Sequence, residues 1–212
     1  TSNRILIVEI LDYMTKNKLT FPFFVIIVGL LAVSSASVFI RFAQKDVPSL
    51  VIAACRLTLA TLILIPICIK GFIKEVIPAS NKQKGTLFLA GIFLALHFAT
   101  WITSLEYTRV ASSVVLVATT PLWVAILSPL FLKERLNRWM GAGLAIAMIG
   151  TVIVAFSGTC AVTSIGLECS RMQMQTRDLI GDSLALAGAL FACGYLIIGR
   201  KVQKQIPFGS YI

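Results

Sequence analysis

Charge and titratable chemistry are scarce in this chain. Of its 212 residues only 13% are charged, nine are acidic, and one, His97, is a histidine. A water-soluble domain carries about a quarter of its residues as charge, so an ordinary soluble fold is excluded. No Gly-x-x-x-x-Gly-Lys-Ser/Thr sequence occurs, so no phosphate cradle for ATP is encoded. No Gly-x-Ser-x-Gly element accompanies the histidine, which deprives a serine nucleophile of its usual setting. The cysteines lack the paired Cys or His spacing of a zinc site. The sequence therefore calls for no catalytic residue, no metal and no cofactor.

What the chain does have is apolar length. Hydrophobic residues make up 58%, and the mean hydropathy is +0.91. Apolar runs occupy 21–42, 50–69, 85–105, 110–132, 139–156 and 179–198. Each is about 20 residues long, enough to cross roughly 30 Å of hydrocarbon at about 1.5 Å per residue. With no water to meet the backbone, each must satisfy its own hydrogen bonds as a helix. The expected fold is an all-α, polytopic bundle of six transmembrane helices, with the lipid bilayer as its surrounding partner.

The net charge of +10 arises in the connectors and not in a basic patch interleaved with aromatics, so no nucleic acid is expected. Arg4, Lys16 and Lys18 precede the first segment. Lys70, Lys74, Lys82 and Lys84 follow the second; Lys133, Arg135 and Arg138 follow the fourth; Arg200, Lys201 and Lys204 follow the sixth. The alternate connectors hold only Arg41 and Lys45, Arg109, then Arg171 and Arg177. The positive-inside rule then places the N-terminus in the cytoplasm of a plasma or inner membrane.

The first and sixth segments share an order of small, aromatic, basic and proline residues: Ala36, Phe39, Arg41, Pro48 against Ala192, Tyr195, Arg200, Pro207. These segments enter the membrane from opposite sides, which is the mark of an inverted repeat. The expected organisation is a cytoplasmic segment 1–20, a first five-helix repeat 21–157, an extracytoplasmic connector 158–178, and the start of a second repeat at 179–212. The natural reading frame is expected to continue for about four more helices. Residues 1–13 read equally as an upstream extension or as a short interfacial helix built on Ile5, Leu6, Val8, Leu11 and Tyr13.

The stretch 97–156 carries SLEYTRVASS at 104–113, Thr120-Pro121, LKERL at 132–136, and a helix bearing Gly141 and Gly150. With Arg56 following Pro48, these elements resemble the EamA domain of the drug/metabolite transporter superfamily. The resemblance implies ten helices in two inverted five-helix repeats, cytoplasmic termini, and carriage of small metabolites or drugs. It covers the first repeat and the first helix of the second.

Single residues add a candidate site. His97, Thr100, Trp101 and Ser104 fall at i, i+3, i+4 and i+7, one face of a helix. A polar stripe at membrane depth faces protein or water and is expected to contact a small-molecule substrate. Ile102 is expected on the opposite, lipid side. His97 titrates ordinarily near pH 6.5 and can carry a coupled proton. Arg56, inside the second segment, is suited to bidentate capture of a carboxylate or phosphate, or else snorkels outward. Asp182 is its expected partner, and Glu106 a solvated helix end.

Pro121 and Pro129 should kink the fourth segment and free the carbonyls of Val117 and Ala125, for Thr119, Thr120 and Ser128 to satisfy. Ser34, Ser35 and Ser37, and the Gly143/Ala147 pair, suit close helix contacts within the bundle or across a homodimer. Glu134 should cap the turn between the fourth and fifth segments. Cys55, Cys68 and Cys193 read as packing residues. Cys160 and Cys169 share a connector in which a disulfide is open to them. Two other functions compete with transport: an intramembrane protease with His97 as base, and a non-transporting scaffold subunit.

Overall fold

The computed structural model describes residues 20–133, 137–157, 160–163, 166–169 and 176–203. It divides into two compact units, Thr1–Phe39 and Ile40–Ile212. The expectations for the N-terminal 1–19, for Glu134 and for the end of the chain from 204 lie outside the described residues.

Helix α1 (Thr20–Ala43) belongs to the first unit as far as Phe39. The described large apolar side chains of its part in the first unit, such as Phe24, Leu30 and Leu31, stand exposed, while Ile40, in the second unit, is buried. Lipid is the natural solvent for such a surface. The serine hydroxyls of this helix turn back on their own backbone, Ser35 donating to the Ala32 carbonyl at 3.1 Å and Ser37 to that of Ser34 at 3.2 Å.

The second unit holds the rest. Helix α2 (Ser49–Gly71) runs into a π-helical turn, Phe72–Val76. Helix α3 (Asn81–Tyr107) is opened by a reciprocal capping box. Ser80 accepts from the Gln83 amide at 3.3 Å, while the Gln83 side chain accepts from the Ser80 amide at 2.9 Å. This pairing satisfies donors that a helix start otherwise leaves open.

The fourth apolar run forms two helices, α4 (Val110–Val117) and α5 (Thr120–Phe131). Pro121 lies in the first turn of α5, where its missing amide costs nothing. Of the two carbonyls expected to be freed, that of Val117 accepts from Thr120 Oγ1 at 2.7 Å. Thr119 Oγ1 donates to Leu116 O at 2.6 Å and accepts from the Trp123 indole at 3.1 Å. The break is thus capped by hydroxyls, as a helix crossing hydrocarbon requires.

Helix α6 (Arg138–Ser157) leads to a two-stranded ribbon, β1 (Cys160–Thr163) antiparallel to β2 (Gly166–Cys169). Its register opposes Cys160 to Cys169; their thiols lie outside the described side chains. Helix α7 (Thr176–Gln203) closes the described chain, with Asp178 in its first turn and Arg200 and Lys201 in its last. These charges complement the helix dipole.

Among the described residues five stretches are long and apolar enough to cross a membrane: Phe23–Ala43, Ser49–Ile69, Asn81–Tyr107, Val110–Phe131 and Thr176–Val202. Arg138–Ile153 is a shorter apolar helix. The chain is an all-α, multi-pass membrane protein, with the small ribbon as an addition in a connector.

Within the second unit α3 and α7 form the most extensive pairing, and α4 and α5 also pack on α7. Small residues on α7 make this approach close. A Cβ added at Gly181 would lie 2.7 Å from the Thr108 backbone nitrogen, and one at Gly188 would lie 3.2 Å from Thr100 Oγ1. Ala185, Ala189 and Cys193 along the same helix are fully buried. Without a hydrophobic drive between helices in lipid, small residues of this kind let backbones come close enough for dispersion and polar contacts to hold them. Gly143 is different, since a Cβ there would meet no atom within 4 Å. With Ala147 it borders an open-sided cavity of about 570 Å³ between α5, α6 and α7, lined also by Pro121, Ser128 and Leu196. Ile102, expected toward lipid, is instead fully buried at 0% exposure, because α3 is enclosed on more than its polar side.

Candidate functional site

The polar stripe of α3 points into protein. His97 Nδ1 lies 2.8 Å from the carbonyl oxygen of Gly188 on α7. The imidazole stacks on Trp101, ring centroids 5.8 Å apart and planes 16° from parallel, and meets Phe98 edge-on at 4.9 Å. One helical turn separates His97 from Trp101, so the two rings lie above one another on the same face.

Arg56 of α2 completes the cluster. Its guanidinium carbon sits 5.1 Å from the Phe98 ring centroid and 5.8 Å from that of Trp101. The side chain is half-buried, and among the described residues no carboxylate or carbonyl meets it. Three helices thereby converge on one aromatic-walled group: Arg56 from α2, His97, Phe98 and Trp101 from α3, and the Gly188 backbone from α7. Trp101 is only 7% exposed, yet among the described residues its indole nitrogen has no hydrogen-bond partner. A buried donor left unpaired is costly, and such donors are uncommon in settled structures.

Thr100 lies beside Gly188, its hydroxyl donating to the Leu96 carbonyl at 2.8 Å. Ser104, the last member of the stripe, sits apart from the cluster. It is fully buried, 2.6 Å from Ser113 Oγ on α4 and donating to the Trp101 carbonyl at 2.6 Å. Its place is a buried contact between helices, which is also where hydroxyls serve as glue in membranes.

Asp182 is not the partner of Arg56. It accepts from Thr108 Oγ1 at 2.8 Å, which ties the start of α7 to the end of α3. Glu106 is also engaged, accepting from Ser49 Oγ at 2.9 Å. Gln44 joins that network through Ser49 at 2.9 Å and the Ile102 carbonyl at 2.7 Å. Arg41 donates to the Leu105 carbonyl, and Arg177 stacks over Tyr107 while reaching the Glu106 carbonyl at 3.4 Å. The end of α3 therefore carries a band of polar contacts to Arg41 and Gln44 ahead of α2, to α2 itself and to α7, separate from the aromatic cluster.

Phe98, Ser113 and Gly188 have no mark in the sequence that sets them apart as site residues. The one available signal was the spacing Gly181, Ala185, Gly188, Ala189, Cys193, a small-residue seam at helical period. Among the described residues no group of His, Cys, Asp and Glu could hold a metal ion.

Comparison with known proteins adds to this geometry. The model of the EamA-like transporter family matches residues 20–156. Solute carrier family 35 member G1 of Mus musculus is 26% identical over 179 residues, which is 82% of this chain and 46% of that protein. The uncharacterized transporter YxxF of Bacillus subtilis (strain 168) is 25% identical over 118 residues, 56% of this chain and 34% of that protein. The chain thus spans less than half the length of these curated relatives. No solved structure matches it significantly.

Proposed function

Since the chain belongs to the EamA-like transporter family, we propose that it supplies the first repeat, and the opening helix of a second, of a secondary transporter for a small metabolite or drug. The substrate crosses the plasma or inner membrane by alternating access, with the N-terminus cytoplasmic and both repeats contributing to a midplane site. The observation that carries this reading is the cluster in which Arg56 of α2 lies over Trp101 of α3, Trp101 stacks on His97, and His97 meets the Gly188 backbone of α7. A guanidinium and an imidazole at membrane depth are expensive, and such groups serve pathways more often than packing.

Transport is not driven by ATP bound to a Walker sequence of this chain, which has none. His97 is the residue suited to carry a coupled proton. The protease reading has less support: His97 is engaged with a backbone carbonyl and two aromatic rings, and among the described residues no hydroxyl or thiol hydrogen-bonds to it. A base without a nucleophile in reach lacks the geometry of covalent hydrolysis.

The test is transport by the full-length protein in proteoliposomes. His97→Ala and Trp101→Ala should each lower transport about tenfold or more, the scale of losing an interaction worth about 1.4 kcal/mol, while membrane expression is retained. Phe88→Ala, on an exposed face of the same helix, should leave it unchanged. Wild-type rates in both cluster variants would remove the cluster from the transport path.

A further inference from the structure

Resting on the transport reading, we infer that the substrate is a small organic oxyanion, a carboxylate or phosphate ester, held by Arg56 and the Trp101 indole against the aromatic wall. The argument is an inventory of hydrogen-bonding capacity at the cluster. Arg56 brings five N–H donors and no acceptor. Its contacts among the described residues are the faces of Phe98 and Trp101, which offer a cation attraction but take up none of those donors directionally. Trp101 brings one donor, buried and without a partner among the described residues.

Among the described residues no acceptor reaches the guanidinium, and the nearby acceptor groups have other partners. Asp182 accepts from Thr108, Glu106 from Ser49, and the Gly188 carbonyl faces His97 Nδ1. The Thr100 hydroxyl spends its proton on the Leu96 carbonyl. What remains unsatisfied beside the aromatic rings is donors with a full positive charge behind them; the other orphaned buried atom, the acceptor Gln44 Oε1, belongs to the separate polar band at Ser49 and Ile102. His97 Nε2 has a lone pair when neutral and becomes a further donor once protonated.

A cationic substrate would need a carboxylate at the guanidinium, where none lies among the described residues, and a neutral polyol would find a single acceptor, His97 Nε2, for its hydroxyl protons. An oxyanion matches on both counts. Its oxygens accept from the planar guanidinium fork in a two-bond geometry that an ammonium cannot reproduce. Its charge also relieves the cost of a guanidinium held away from water. Binding then completes Trp101 as well, so the orphaned indole and the unpaired arginine are two observations explained by one ligand.

The experiment uses the purified full-length protein and reads its thermal unfolding midpoint against succinate, glucose 6-phosphate, glucose and tetraethylammonium, with uptake of each into proteoliposomes. At least one of the two anions should raise the midpoint and be taken up, and glucose and tetraethylammonium should do neither. Arg56→Gln should weaken anion binding about 10- to 100-fold, the range for removing one partner of a charge-assisted pair. Arg56→Lys should recover part of it, and Trp101→Phe, which keeps a ring and removes the donor, should cost about tenfold. Absence of a response to both anions overturns the inference. Uptake of glucose or tetraethylammonium without the anions overturns it too, yet leaves the protein a transporter. Anion binding unaltered in Arg56→Gln overturns the assignment to this cluster. Stabilisation by phosphatidylglycerol vesicles alone would hand the guanidinium to a lipid headgroup and overturn the substrate reading.

Discussion

His97 Nδ1 and the Gly188 carbonyl oxygen lie 2.8 Å apart across the α3–α7 seam, joining residues that are 91 positions apart in sequence. A carbonyl can only accept, so Nδ1 carries the hydrogen and the neutral imidazole keeps its lone pair on Nε2. The titrating nitrogen is thereby the one facing away from α7. Any proton taken up by His97 adds charge to a group that already holds Arg56.

From this follows a pH signature. Transport by the full-length protein should change between about pH 5 and 8, the interval in which an imidazole ordinarily changes charge. His97→Gln keeps an amide donor for the Gly188 carbonyl but cannot titrate, so its profile should be flat across that interval. A wild-type profile that is already flat, measured as initial uptake rate, would remove the proton from the mechanism.

The glycines of α7 should be unequal in a predictable order. Gly181→Ala drives a methyl to within 2.7 Å of the Thr108 backbone and should cost about 1–3 kcal/mol of stability, the scale of an overpacked contact. Gly188→Ala meets Thr100 Oγ1 at 3.2 Å and should cost less, because a hydroxyl can shift. Gly143→Ala meets nothing within 4 Å and should be neutral or slightly stabilising, as expected for alanine replacing glycine in a helix. Unfolding midpoints of the three variants in one detergent decide the order; equal effects would contradict the close α3–α7 approach.

Ser104 and Ser113, 2.6 Å apart in a fully buried contact, should behave as one structural unit. Ser104→Ala or Ser113→Ala alone should destabilise by about 1 kcal/mol, and the double variant by less than the sum. The substrate concentration for half-maximal transport should not move in either single variant. A rise in that concentration for Ser104→Ala would return Ser104 to the substrate path.

Orientation is open to labelling. On the N-terminus-inside arrangement, a cysteine replacing exposed Lys45, between α1 and α2, should react with an impermeant thiol reagent in intact cells. Cysteines at exposed Lys82 and Arg138 should react only after permeabilisation. The reverse pattern would invert the topology and undo the argument from lysine and arginine placement.

The sequence by itself determined that this is a multi-pass helical membrane protein, and roughly where its helices run. Apolar length is a local property, and a backbone in hydrocarbon has no alternative to helix, so no tertiary information was needed. The polar face of α3 was legible for the same reason, because four side chains at helical spacing share a face whatever they touch. The proline-marked break in the fourth run was also local, with Thr120 capping the carbonyl of Val117 at 2.7 Å. Partners across helices were not legible. That Asp182 meets Thr108 and not Arg56, that Ser104 turns to Ser113, and that Ile102 is interior depend on how α3 is rotated between α2, α4 and α7. That rotation is decided by the small-residue seam of α7, where close backbone approach selects one packing among several the sequence pattern would allow. Tertiary structure alone brought Arg56 over Phe98 and Trp101 while leaving the indole hydrogen without a partner, because burial and pairing belong to the assembled helices and to no single one of them.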